Sequence, residues 1–123
     1  MNKKDKLLKE QEYADLIDFK KMSNKKYGVA KCWKGTHYRH WRVMSDIVFK
    51  LVNDYSMNVI TEAVFKKSGR ADIFAYKGDL AVIIEVLHSE SEKKFEFKKG
   101  YYPKGITLMK IHTKDFKFEE FCI

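Results

Sequence analysis

The stretch TEAVFKKSGRADIFAYKGDLAVIIEVLHSES, residues 61–91, decides the fold. It reads as the end of one strand, a loop, a second strand, a tight turn, a third strand and the start of a helix. Two acids interrupt its apolar runs, Asp72 in ADIFAY and Glu85 in AVIIEVL. A carboxylate on a covered strand costs on the order of several kcal/mol unless it is paired or ligates a metal. Two of them, on strands joined by one hairpin, are more economically read as one site than as two accidents. Period-two alternation puts Asp72 with Phe74 and Tyr76, and Glu85 with Ile83 and Leu87. Gly78-Asp79 suits the tight turn between them. Leu80–Leu87 is apolar except for Glu85, as expected for a strand covered on both faces.

Upstream, NVITEAVF at 58–65 reads as a strand with Ile60, Glu62 and Val64 on one face. Val59, Thr61, Ala63 and Phe65 then lie on the other. Before it, Trp41, Met44, Ile47, Val48 and Leu51 form the apolar face of a helix capped by Thr36 and running to about Asn53. His37 and His40 fall in its first turn. They are either satisfied structural histidines or groups that overlook the carboxylates and touch a phosphate, a water or a metal. Residues 23–35 are polar and basic and predict a loop, with a short strand around Tyr27–Cys32 as one option. Residues 3–22 carry Leu8, Tyr13, Leu16, Ile17 and Phe19 at helical spacing and predict an amphipathic helix.

Downstream, Ser89 and Glu92 form an S-x-x-E capping box, so a helix is expected directly after the Glu85 strand. Phe95 points inward from it, among Lys93, Lys94, Lys98 and Lys99. Gly100 ends that helix and Pro103 blocks its resumption. Ile106–His112 is then a final strand, parallel to a neighbour because a crossover reaches it. The aromatic tail at 113–123 is expected to cover an edge of the sheet. The fold class is therefore α/β, an αβββαβ core whose central mixed sheet is flanked by helices, with an extra N-terminal helix. One domain over 1–123 is expected, made of a basic helix and loop (1–33), the core (34–112) and the tail.

The chain of 123 residues has a formal net charge of +8 and a pI near 9.4, which points to a polyanionic partner. Ten Lys and five acids fall in the first 34 residues, so this end is the main electrostatic feature. Cys32 and Cys122 have no metal-ligand spacing and read as reduced thiols. With no apolar run long enough for a membrane and no signal-peptide core, an intracellular, cytoplasmic protein is expected. The sequence has no G-x-S-x-G, no P-loop and no zinc pattern.

G-R-A-D-I at 69–73 followed by I-I-E-V at 83–86 resembles the PD-(D/E)XK nuclease superfamily, in which an Asp opens the second core strand and Glu-x-Lys lies on the third. The separation of 13 between Asp72 and Glu85 is similar to that of the family. The resemblance extends over about residues 34–112. Lys34-Gly35 before the helix and Tyr102-Pro103 before the last strand are similar to small archaeal and viral Holliday junction resolvases. It implies a restriction-endonuclease-like fold and Mg²⁺-dependent hydrolysis of DNA phosphodiesters, with Mn²⁺ as a substitute, in a viral or mobile-element setting. On this mapping Asp72, Glu85 and the Val86 carbonyl hold the metal. Leu87 stands where the family has its lysine, so Lys94 or Lys98 on the following helix is the expected substitute. The family's acid on the first helix is missing from THYRHWR. Glu62 is either a third carboxylate or the ion-pair partner of Arg70. Lys34, His37, Arg39, His40, Arg70 and Ser89 are the expected DNA contacts, Ser89 and its neighbours Glu90 and Ser91 otherwise serving to cap the helix. A homodimer would supply two sites for two strands.

A second reading keeps the fold and drops the chemistry, leaving a module that binds nucleic acid or a protein. In a third, an unrelated α/β binding domain, the carboxylates are simply ion-paired. Metal uptake separates the first from the others, and salt-sensitive DNA binding without it marks the second.

Overall fold

The computed structural model describes residues 2–67, 69–88, 100 and 102–123. Helix α1 (Lys3–Asp15) leads through a 3₁₀ turn and a loop into α2 (Tyr38–Asn53). Strands β1 (Asn58–Val64), β2 (Arg70–Lys77), β3 (Leu80–Leu87) and β4 (Thr107–His112) form one sheet in the order β1-β2-β3-β4. The first three are antiparallel neighbours, and β4 runs parallel to β3. The α/β class, the mixed sheet and the extra N-terminal helix are as the sequence predicts. The expected crossover helix, with Ser89, Glu90, Ser91, Phe95, Lys93, Lys94, Lys98 and Lys99, lies outside the described residues.

The sheet separates two apolar layers. Ile60, Phe74, Tyr76, Ala81 and Ile83 face α1 and its following turn, meeting Tyr13, Ile17 and Met22. Val59, Ile73, Ala75, Val82, Ile84 and Val86 face α2, meeting Val43, Met44, Ile47, Val48 and Leu51. The period of 2 in the strands and 3.6 in α2 is what brings these sets together. The β2–β3 hairpin closes on Gly78, whose φ of 60° suits the first position of a two-residue turn. Helix α1 clamps that turn. The Tyr13 hydroxyl donates to the Asp79 carbonyl at 2.8 Å, and the Gly78 N–H donates to Glu10 Oε2 at 2.7 Å.

Four expectations need correction. Helix α1 ends at Asp15 rather than near 22, because Ile17 leaves the helix to bridge Phe65 and bury its side chain; Leu8 is exposed. Thr36 does not cap α2. Its hydroxyl accepts from the Trp33 N–H within a turn, and His37 takes the N-cap position without a side-chain bond. The face alternation of β1 breaks at Glu62, whose φ of 54° is left-handed, so Ala63 and Phe65 join Ile60 on the α1 side instead of Val59; β2 breaks beside it, Ala71 joining Phe74 and Tyr76 on the α1 side while Asp72 meets His40 of α2. The tail packs Phe116 and Phe121 into the α2 layer and Phe118 against Phe49, rather than closing an edge.

The loop before α2 contains no strand. It is tied to β1 by the Gly28 N–H, which donates to the Val59 carbonyl at 2.7 Å, and by a buried polar cluster. In that cluster Asn24 Nδ2 donates to Thr61 Oγ1 at 2.9 Å, while the Thr61 hydroxyl donates to the Val29 carbonyl. Asn24 and Thr61 are both fully covered, so each needs these partners.

Candidate functional site

The β2–β3 ladder runs from Lys77–Leu80 to Ile73–Ile84, and among the described residues it stops there. One more step of the same register would set Asp72 opposite Glu85. Instead of a backbone carbonyl, the Asp72 carboxylate takes over: its Oδ2 accepts from the Val86 N–H at 2.8 Å. The two strands part around a side chain, while β3 goes on pairing with β4 as far as Leu87–His112.

His40, on the first turn of α2, reaches this gap with Nε2 3.5 Å from Asp72 Oδ2. Burial pushes the Asp72 carboxyl up, but hydrogen bonds with His40, Glu85 and the Val86 N–H outweigh it and hold the group below the usual carboxylate range. Glu85 is 2 % exposed and accepts from the Tyr102 hydroxyl, which also lies 3.3 Å from the Arg70 carbonyl. The hairpin thus brings the two sequence-predicted acids into mutual contact at one point.

The other predicted residues divide. Glu62 forms an ion pair with Arg70, and the β1–β2 register places it across from Asp72. Its left-handed backbone costs on the order of 1–2 kcal/mol for a residue with a Cβ. Lys34 sits exposed in the turn before α2, and Arg39 is exposed on its first turn. His37 packs against His88 with ring centroids 3.7 Å apart and the planes tilted by 44°. Leu87, two residues after Glu85, is fully buried.

Two features escaped the sequence. All four histidines gather at one end of the sheet: His37 and His40 start α2, His88 follows β3 and His112 ends β4. His88 Nδ1 meets Thr113 Oγ1 at 3.1 Å, and desolvation together with His37, Arg39 and His40 pushes its pKa down, so the ring is neutral near pH 7. Lys110 is the second. Parallel pairing sets it directly beside Glu85, and register partners share a face. The ITLMKIH pattern marks Lys110 as a strand residue, but only the choice of neighbour for β4 puts it next to the acid.

Among the described residues, no three His, Cys, Asp or Glu side chains form a group that could hold a metal ion. The donor set nevertheless fits a hard cation. Mg²⁺ keeps several waters and is commonly held by only one or two carboxylates, and here two carboxylates share one gap with the Val86 backbone beside them. No helix among the described residues is long and apolar enough to cross a membrane. No family model, curated protein or solved structure matches the chain.

Proposed function

We propose that this chain is a metal-dependent phosphodiester hydrolase acting on DNA, with Asp72 and Glu85 as the carboxylates that hold Mg²⁺ or Mn²⁺. The observation that carries the reading is the meeting of Asp72 and Glu85 where β2 and β3 part. Two acids placed together in a covered gap are costly as a purely structural device, and the same placement is what binding a hard cation requires. When bound, such an ion polarises a phosphate and lowers the pKa of an attacking water.

The chain's own groups have separable parts in this scheme. The Val86 N–H and His40 fix Asp72 in its ionised form, and Tyr102 holds Glu85 in place. Lys110, beside Glu85 in the ladder, is the lysine this chain offers in place of Leu87 for orienting water or neutralising charge. Lys94 and Lys98 remain the competing candidates. His37, Arg39, Lys34 and the net charge of +8 supply attraction for the phosphate backbone.

The burial of Glu85 and Leu87 favours a second reading, a nuclease-like fold that binds nucleic acid without cutting it. Calorimetric titration of Mg²⁺ and Mn²⁺ into wild type and Asp72→Asn, with cleavage of supercoiled and branched DNA alongside, separates the two. Metal uptake and nicking that both disappear in the variant support the hydrolase. DNA binding without uptake or nicking leaves the binding module.

A further inference from the structure

A hollow of about 140 Å³ lies between the loop before α2 and the first turns of that helix. Two indoles border it. Trp41 is fixed by its Nε1–H, which donates to the Ala30 carbonyl at 3.1 Å, and Trp33 is 50 % exposed on the outer side. Lys31, His37, His40 and Glu62 also line it. Because His40 lies 3.5 Å from Asp72, the hollow is one side chain away from the paired carboxylates. Past the first turn of α2 a second, larger hollow of about 700 Å³ is lined by Arg39, Arg42, Lys114 and Lys117, which outnumber its two acids, Asp46 and Glu119. Tyr38, 63 % exposed, borders it too.

A hollow lined by two indoles, with Lys31 and His37 among its polar groups, selects among the parts of a nucleotide. Glu62, the one acid in the lining, is already paired with Arg70, so the hollow offers a phosphate only Lys31 and His37. The indoles offer stacking area to a base. Lys31, His37 and the net positive second hollow suit the neighbouring phosphates. In a continuous duplex the bases are stacked on one another and have no free face to offer.

We propose that the Trp33–Trp41 hollow takes an unstacked nucleobase, so that the preferred substrate is a nucleic acid with an unpaired nucleotide beside the scissile phosphate, as in a single strand or a single-to-double-strand junction. This rests on the hydrolase reading for the chemistry, but not for the binding. Stacking on an indole is sequence-tolerant, so the site discriminates strandedness rather than base identity.

The test measures anisotropy of a short labelled oligothymidylate and of a blunt duplex of equal length, with the full chain, in chelator and at one fixed salt concentration. The oligothymidylate is expected to bind tighter than the duplex. Trp33→Ala is expected to lower its affinity by about 10-fold or more while leaving the duplex unchanged, and Trp33→Phe to restore most of it. Equal affinity of the wild type for both ligands, or an unchanged oligothymidylate affinity in Trp33→Ala, overturns the proposal. Metal-dependent cleavage run in parallel keeps the two failures apart. Cleavage that ignores Trp33 removes the base site and leaves the hydrolase; Trp33-dependent binding without cleavage does the reverse.

Discussion

The two ends of the β2–β3 hairpin are built from the same two strands and do opposite things. At the Gly78 end the ladder is complete, the turn is clamped by Tyr13 and Glu10, and the residues around it serve packing. At the other end the ladder lapses, a carboxylate substitutes for a backbone acceptor, and polar groups from α2, β3 and Tyr102 converge. A strand pair that zips fully leaves no room for chemistry. One that parts a step early exposes backbone groups that a side chain must satisfy, and a functional acid can be held there rigidly.

The contrast breaks first at Asp72. Asp72→Asn keeps an oxygen for the Val86 N–H, so the fold should persist, whereas metal-dependent cleavage is expected to fall on the order of 10³-fold. A melt and a cleavage assay on the same preparation check both halves; an active variant would move the site elsewhere. Next comes the lysine. Lys110→Ala is expected to lower turnover on the order of 10²-fold with little change in stability, and the same assay on Lys94→Ala and Lys98→Ala decides which of the three serves.

Tyr102→Phe probes the same end through stability. Removing the donor to a buried carboxylate should cost about 1–3 kcal/mol in urea unfolding. Gly78→Ala is the matching change at the closed end. A methyl on a residue with φ of 60°, 3.5 Å from the Lys6 side chain, should cost about 1–2 kcal/mol and leave cleavage per folded molecule untouched. If Gly78→Ala impaired catalysis as much as Asp72→Asn, the two ends would not be separable.

The smallest effect is in the acid limb. Because the folded-state pKa of Asp72 lies below its ordinary unfolded value of about 4, the native state binds fewer protons than the unfolded one between the two. The stability this contributes is full above the unfolded value and is lost as pH falls through the folded one. Asp72→Asn should therefore show a flatter dependence of stability on pH below about 4. An unchanged slope would mean that Asp72 carries no native-state shift.

The acids themselves were legible. A tight hairpin turn at Gly78-Asp79 sets 72 against 85 by counting alone, and their presence in apolar runs marks them as costly. Other readings failed where local rules met a distant partner. Ile17 was pulled out of its predicted helix by Phe65, and the alternation of β1 was broken by one left-handed residue, Glu62, that paired with Arg70. Thr36 looked like a helix cap, but its hydroxyl accepts from Trp33 instead.

What the sequence by itself determined is therefore periodic or counted along the chain: the class of fold, the apolar face of α2, the hairpin and the acid pair. Spacing within one element fixes which residues share a side, because 3.6- and 2-residue periods are properties of the backbone. The tertiary structure alone decided that His40 meets Asp72, that Lys110 lies beside Glu85, that four histidines share one end, and that Trp33 and Trp41 line one hollow. Each of these depends on how elements far apart in the chain pack against one another, and no local period encodes that distance.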